Sequence, residues 1–574
     1  MIKVFIKDSY YKIILNNGEK KDINDILQNI NIEEETYNYL AKLESQKISG
    51  KSINELYNYK GVELYTFYRA TMFMHLKEVF TYFFMIKNII REYGKELDII
   101  TDNKVVFDIA TLLFDVNVKF ENKENIFEDK ENTINNSKSI LIKRALKGMS
   151  YFIKYKFSKA KNRTLVFSQA ASINKISIRN KEVYYDALYG NIINNIKQSD
   201  NIFNVQFLNK LDLYDKSNLL SKDYFPFEMI SIIKKVVGER LIDKNNIDDN
   251  LNMLNEFEYK YFDYNLREII YKYVFNNLKS HYFSYVKEIC VWERIIKILK
   301  INKVLVVDEA DRPRCIITAG NILNIDTFGL QHGIINQTSP AYLTPTKNKT
   351  LVPKKTFVWG EKFKEFLITA TNVYNEDNIV VIGQPRTDYL YEKVKEYSNI
   401  NSNDEMKILF ATQPIYDLAE ESLRMLLEAL VEVENYKLII KLHPADNFEN
   451  IYMDIINKYN IKNVEVTKSL DIYDALLWCD LVISVHSTVV LEGAIFNKPS
   501  ICIMLPKYND EGNFVKEGLS LGVKNSNELR NILVNKEYLS ECNYKKFIEK
   551  SFYKVDGDVS QRASNYLRHR EDKR

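Results

Sequence analysis

The chain has 574 residues, more than one hydrophobic core ordinarily serves, so two domains with an elaboration are expected. Its 80 basic and 77 acidic residues leave a formal charge of +3, a balance that gives no argument for nucleic acid as a partner. The five cysteines (Cys290, Cys315, Cys479, Cys502 and Cys542) form no CxxC pair and no metal-ligand spacing, which suits a reducing cytoplasm rather than a disulfide scaffold.

From the start, "MIKVFIKDSYYKIILNNGEK" reads as a hairpin turning at Asn16-Asn17-Gly18, not as a signal peptide. Residues 60–95 carry dense apolar positions at helical spacing and predict one long buried helix or two shorter ones. The apolar run at 80–90 is too short to span a bilayer and contains Lys87, so a soluble, cytoplasmic protein is expected. "LDIIT" (97–101) follows as a strand, "NKVVFDIATLLF" as a helix and "VNVKF" as a strand. Residues 121–160 are charged and Asn-rich, then aromatic and basic, and read as an excursion from the main sheet. "TLVFS" (164–168) and "FNVQF" (203–207) resume the strand pattern, and 224–300 reads as an inserted helical bundle.

From 303 the alternation is regular. "KVLVVDE" is a strand, "RPRCIITAGNIL" a helix with Pro313 in its first turn, and "IDTFGLQHG" a strand with its exit loop. Residues 338–355 are rich in Pro, Thr and Lys without periodicity, the signature of a linker. A second series follows, with strands at "TFVWG", "NIVVIG", "KILFAT", "YKLIIKLH", "VEVT", "LVISV" and "SICIML", short runs of the kind that make buried parallel strands. The expected fold is α/β, with two Rossmann-like, doubly wound domains. The first is 1–340 with a helical insertion at about 224–300, the second 355–545, with a linker at 341–354 and a C-terminal helix, 546–574, packing back toward the first.

Open parallel sheets bind ligands beyond the carboxyl ends of their strands. The distinctive polar residues of this chain fall at such ends: Asp308-Glu309, Gln331-His332-Gly333, Gly383-Gln384-Pro385-Arg386, Thr412-Gln413, His443-Pro444 and His486-Ser487-Thr488. Three of the six histidines are among them. Each also has a plain structural reading. A lone histidine can cap a strand, His-Pro can end one, "HST" before "VVLEGAIF" can cap a helix, and "GQPR" can be a tight turn. Phosphate loops of the GxxxxGK[ST] and GxGxxG kinds are absent, which removes support for kinase and dehydrogenase readings, and no HExxH appears.

The ordered set "LQHG", "VIGQPRTD", "KLHP" and "SVHSTVVLEGAIFNKPSI", over roughly 300–545, resembles the GT-B glycosyltransferases of bacterial surface-polysaccharide synthesis. These include capsule synthesis proteins, bacterial sialyl- and polysialyltransferases and CDP-glycerol glycerophosphotransferases. The resemblance implies two domains facing a cleft and an inverting, metal-independent transfer from a nucleotide-activated sugar, with no cofactor beyond that substrate. It implies that His443 with Pro444 binds donor phosphate, that Ser487 and Thr488 are a hydroxyl pair on it, and that Glu492 holds the ribose. Gly383, Arg386, Thr412, Gln413 and His486 complete the donor set by position. An inverting transfer needs a base on the acceptor hydroxyl; His332 is the candidate, since an imidazole titrates near neutrality, with Asp308 and Glu309 as alternatives. His443 could also deliver a proton as the phosphate leaves.

A CMP-activated acidic sugar, sialic acid-like or Kdo-like, is the donor expected first, and a glycan or glycoconjugate the acceptor. The His-Gly at 332–333 matches the glycerophosphotransferases better than the acidic motif of the sialyltransferases, so a CDP-glycerol-type polyol-phosphate transferase is the alternative. A UDP-sugar transferase or 2-epimerase-like enzyme and a non-catalytic scaffold of a synthesis complex stand behind it. The basic, aromatic stretch 151–163 and the tail "YLRHREDKR" leave peripheral contact with the inner face of the cell membrane, or with a synthesis complex, open.

Overall fold

The computed structural model describes the chain apart from residues 1, 8–9, 15–19, 23–26, 28–29, 122–129, 179–180, 210–212, 216–217, 222, 238–246, 308–310, 338, 397–404, 444–445, 447, 460, 462, 506–507, 509, 511, 537–543 and 569–574. Two compact units emerge. Met1–Ser172, Lys197–Phe357 and Lys364–Val380 form the first; Ile173–Ile196, Val358–Phe363 and Val381–Arg574 form the second.

The first unit holds two sheets. The smaller runs Lys20–Asp22, Tyr10–Ile14, Ile2–Lys7, Leu97–Thr101, Asn117–Phe120. The expected N-terminal hairpin is antiparallel, with Ile14 opposite Lys20; its turn at 16–18 lies outside the described residues. The region 60–95 forms one helix, Tyr65–Tyr93, ended by Gly94 at φ 78°. Its Phe80, Phe83 and Phe84 meet Tyr261 edge-on, at centroid distances of 4.8, 5.7 and 5.9 Å, the geometry aromatic quadrupoles favour.

The larger sheet runs Phe225–Pro226, Asn201–Phe207, Arg163–Gln169, Lys303–Val307, Asp326–Leu330, Lys355–Val358, Ile379–Val381. Counted in chain order these strands read 3-2-1-4-5-6-7, a doubly wound arrangement. The last two strands were expected in the second domain, yet they extend this sheet: Phe328 pairs with Lys355, and the Gln331 amide donates to the Phe357 carbonyl at 2.9 Å. The segment expected as a linker, 341–354, lies in the first unit, with Tyr342, Leu343, Thr346 and Leu351 buried. Two buried arginines hold it. Arg314 donates to the Leu351 and Ala341 carbonyls at 2.8 and 2.6 Å, and Arg69 donates to Pro340 at 3.2 Å and to Leu343. Buried backbone carbonyls outside regular helices and sheets need such donors.

In the second unit a six-stranded parallel sheet runs Val464–Thr467, Tyr436–Lys441, Met406–Ala411, Leu481–Ser484, Ser500–Ile503, Leu521–Val523. In chain order this is 3-2-1-4-5-6, the dinucleotide-fold order. A hairpin from the N-terminal half, Ile173–Ile178 with Lys181–Asp186, sends Ile176 and Tyr185 into its core beside Tyr389, Leu390, Leu476 and Val482. The C-terminal part is two helices, Tyr544–Phe552 and Val559–Arg568. The second packs on Ile192–Ile196: Arg568 donates to the Asn195 carbonyl at 2.6 Å, and the Asn191 amide donates to Ser560 Oγ at 3.0 Å. The α/β class with parallel sheets is as the sequence implies. Among the described residues no helix is long and apolar enough to cross a membrane.

Candidate functional site

In a sheet of order 3-2-1-4-5-6 the crevice opens between strands 1 and 4, because the connections from them leave in opposite directions. In the second unit those strands are Met406–Ala411 and Leu481–Ser484, paired in parallel. Their exits are tied together: Ser484 Oγ donates to the Ala411 carbonyl at 2.8 Å, and the His486 amide donates to Gln413 Oε1 at 3.4 Å. The His486 ring stacks on Tyr508 with centroids 5.6 Å apart.

On the other side of Met406–Ala411, the strand Tyr436–Lys441 delivers His443. Its amide donates to Thr412 Oγ1 at 3.1 Å, and that hydroxyl donates to Asp446 Oδ2 at 2.6 Å. Tyr452 donates to the same carboxylate oxygen at 2.9 Å, and the Phe448 amide to the other at 2.8 Å. Asp446 is 1% exposed, so a buried carboxylate clamps the loop that presents His443. Two lysines flank it. Lys468 Nζ donates to the Asp446 carbonyl at 2.7 Å, and Lys441 Nζ to the carbonyls of Leu442 and Lys468 at 2.7 and 3.3 Å. Desolvation holds the Lys441 amine below its ordinary value, opposed by Asp471 and reinforced by Lys468. Desolvation also lowers the His443 imidazole, opposed by Asp446 and reinforced by both lysines. The imidazole is thereby biased toward its neutral form in an electropositive setting, which favours hydrogen bonding to an incoming anion.

A third group lies on the short helix that follows strand 4. Glu492, on Val489–Ile495, pairs with Arg386 at 3.0 Å. Burial raises the Glu492 carboxyl, opposed by the arginine. Arg386 Nε is buried with no hydrogen-bond partner among the described residues. Beside the pair, the hydroxyls of Tyr185 and Tyr473 meet at 3.1 Å. Ser487 Oγ accepts from the Val489 amide at 3.3 Å, a local turn bond, while Thr488 is the N-cap without a side-chain bond.

The structure thus brings Thr412, Gln413, His443, His486, Ser487 and Thr488 to three adjacent strand exits of one sheet. Gly383 has a packing role: at φ 97°, a Cβ there would lie 2.8 Å from Val559 Cγ2 and 3.2 Å from the Phe552 carbonyl. His332 belongs to the first unit, exposed after the strand Asp326–Leu330, next to buried Gln331 whose amide nitrogen donates to the Gly333 carbonyl at 2.7 Å. Asp308, Glu309 and Pro444 lie outside the described residues. The sequence reading passed over Asp446, Lys441, Lys468 and Tyr452. Lys441 carried a signal, a lysine that directly follows the apolar run Leu438-Ile439-Ile440 and stands two residues before the histidine; the others come together only through the fold. Among the described residues no group of His, Cys, Asp or Glu is placed to hold a metal ion.

Residues 347–568 match the family model described as CDP-Glycerol:Poly(glycerophosphate) glycerophosphotransferase. That span contains every strand exit of the second unit named above. Over 202 residues the chain is 27% identical to the teichoic acid glycerol-phosphate primase of Bacillus subtilis (strain 168), covering 33% of this chain and 51% of that protein. Over 238 residues it is 28% identical to the teichoic acid ribitol-phosphate polymerase TarL of Staphylococcus aureus (strain NCTC 8325 / PS 47), covering 37% of this chain and 41% of that protein. The chain spans about half the length of the curated relatives it matches. Among solved structures, the S. aureus MnaA-UDP co-structure aligns with a TM-score of 0.43 at 15% identity, over 71% of this chain and 96% of that one. The UDP-N-acetylglucosamine 2-epimerase from Rickettsia bellii aligns at 0.44 and 12%, again over 71% and 96%.

Proposed function

We propose that the chain is a GT-B-type transferase of cell-surface polymer synthesis that moves a polyol phosphate from a CDP-activated polyol, of the CDP-glycerol kind, onto a phosphate-polymer or glycan acceptor. The observation that carries this reading is the glycerophosphotransferase match over residues 347–568, the span that holds His443 and the strand exits around it. The CMP-activated acidic sugar, first in order from the sequence alone, gives way to it, because the matched family and both relatives are described by glycerol or ribitol phosphate.

In the proposed reaction the acceptor hydroxyl oxygen attacks the donor phosphorus that bears the polyol. A P–O bond forms there as the P–O bond to CMP breaks, CMP leaves, and the hydroxyl proton passes to a base. The base is His332, with Asp308 and Glu309 as the other candidates. His443, Lys441 and Lys468 supply hydrogen bonds and positive charge to the phosphates, the kind of stabilisation that dominates phosphoryl transfer. Thr412, Gln413, His486, Ser487 and Thr488 line the donor side. Glu492 is the ribose ligand and Arg386 its partner.

The test is a melting-temperature series with CMP, CDP, UDP and GDP, followed by incubation with CDP-glycerol and a glycerophosphate-terminated acceptor. A ligand at a hundred times its dissociation constant adds about 2.7 kcal/mol. Cytidine nucleotides should stabilise most, and the acceptor should gain phosphorus as CMP appears. Stabilisation by UDP above CDP, or CMP release from a CMP-acidic sugar with no phosphorus transferred, would reject the donor. A chain that binds cytidine nucleotides and transfers nothing would be the scaffold.

A further inference from the structure

The helix Lys130–Lys156 in the first unit carries apolar side chains on two opposite faces. Its sheet-facing side is anchored: Tyr151 stacks on Phe203 with centroids 5.5 Å apart, Tyr155 is 3% exposed, and Gly148 sits where a Cβ would lie 2.2 Å from Pro226 Cδ. The outer side carries Ile142, Leu146, Met149, Ile153 and, just past the helix, Phe157, exposed by 62, 69, 51, 51 and 75%. Their spacing of four, three, four and four residues makes one continuous stripe on a 3.6-residue period. The neighbouring helix Glu228–Val237 adds Ile232 and Val236, exposed by 51 and 77%. A cavity of about 370 Å³ lies between the two helices, lined by Leu141, Phe207, Phe227, Met229 and Ile232, with Arg312 and the ion pair of Arg144 and Glu228, 3.2 Å apart, among its polar groups.

An apolar stripe of this length is far beyond the scattered exposed side chains of an ordinary surface. Its charge setting identifies what covers it. Residues 140–161 contain seven Lys and Arg and no Asp or Glu, in a chain whose net charge is only +3. Lys143, Lys154, Lys156, Lys159 and Lys161 are exposed around the stripe; Lys154 also reaches Asp223 at 3.3 Å, both groups largely in solvent. A second copy docked through this face would bring two lysine-rich surfaces together, which like charges oppose.

We propose that this face docks on an anionic lipid bilayer, with the helix Lys130–Lys156 lying in the plane of the interface. Ile142, Leu146, Met149, Ile153 and Phe157 enter the acyl boundary, and the lysines extend along their stems to the phosphate layer.

The experiment is flotation of the full chain with phosphatidylcholine vesicles, with and without phosphatidylglycerol, at low and high salt. The parent should float with the phosphatidylglycerol vesicles, and salt should release it. Leu146→Glu with Ile153→Glu should lower the partition coefficient at least about tenfold, since a charge in the stripe opposes its burial. Lys143→Ala or Lys156→Ala should lower it about fivefold each on anionic vesicles, the Boltzmann factor of a single lysine near such a surface. These side chains stand in solvent, so parental melting temperatures are expected and are checked first. Failure of the parent to float, or flotation of the Leu146→Glu, Ile153→Glu variant like the parent, overturns the proposal. So does a parental dimer, seen by sedimentation, that the same variant breaks, because a second copy then covers the stripe. Neither arm involves nucleotide, so the result is independent of the donor reading.

Discussion

Asp446 is the residue on which the presentation of His443 rests. Its carboxylate accepts from Thr412, Tyr452 and the Phe448 amide, and its own amide closes on the His443 carbonyl at 2.8 Å. Asp446→Ala should destabilise by about 1–3 kcal/mol for each buried hydroxyl left without its acceptor, read as a shift in the urea midpoint. It should also weaken CDP binding, whereas Asp446→Asn, which keeps an acceptor oxygen, should lose less of both. Parental stability in Asp446→Ala would remove the clamp. The lowered His443 value makes a pH prediction with a definite sign. Over the window between the ordinary histidine value of about 6.5 and the lower folded value, the unfolded chain binds a proton that the folded chain does not. This contribution to stability is therefore fully present above that window and is lost as pH falls through it. The melting temperature of His443→Gln should fall less steeply than that of the parent between pH 7 and 5, and equal slopes would contradict the shift.

At the scale of elements, strands were more legible than their partners. Short Val/Ile/Leu runs such as "LVISV" and "KILFAT" mark buried parallel strands wherever they occur, because both faces are covered. The same runs do not say which sheet they join. "TFVWG" and "NIVVIG" read as the start of a new domain, yet Lys355–Val358 and Ile379–Val381 complete the first sheet. The intervening Pro/Thr/Lys segment looks like a linker because it has no periodicity; burial comes to it from Arg69 and Arg314, residues remote in sequence. Nor does sequence periodicity flag Gly360, the residue after Trp359. A Cβ there would lie 2.1 Å from the Lys550 carbonyl and 2.6 Å from the Ser551 carbonyl carbon, in the helix Tyr544–Phe552. Gly360→Ala should displace that helix and cost about 1–3 kcal/mol, as overpacking generally does. Amide exchange across 544–552 should rise selectively, and a variant with parental protection there would show that the contact yields easily.

At the scale of the whole molecule, the second unit is discontinuous. Residues 173–196 come from the N-terminal half, and Tyr185 and Ile176 cover Leu390, Leu476 and Val482. A fragment of residues 358–574 should therefore expose apolar surface, bind a hydrophobic dye and melt well below the full chain; a compact, dye-negative fragment with the parental transition would show that the N-terminal hairpin is dispensable. The amino-acid sequence by itself determined the α/β class, most strand positions, and the placing of His332, His443 and His486 at strand exits. Those features are written in local periodicity, in the abrupt change from apolar to polar residues, and in the ordered short motifs. Tertiary structure alone decided the rest. It set the strand order that makes Thr412, His443 and His486 neighbours, and it carried Asp446, Tyr452 and Lys468 into their network. It lent a hairpin from one half of the chain to the core of the other, and it turned the apolar stripe of Lys130–Lys156 outward. Pairing order, long-range burial and the facing of a helix depend on contacts between residues far apart in the chain, and a periodic pattern records only that a face is apolar, not what covers it.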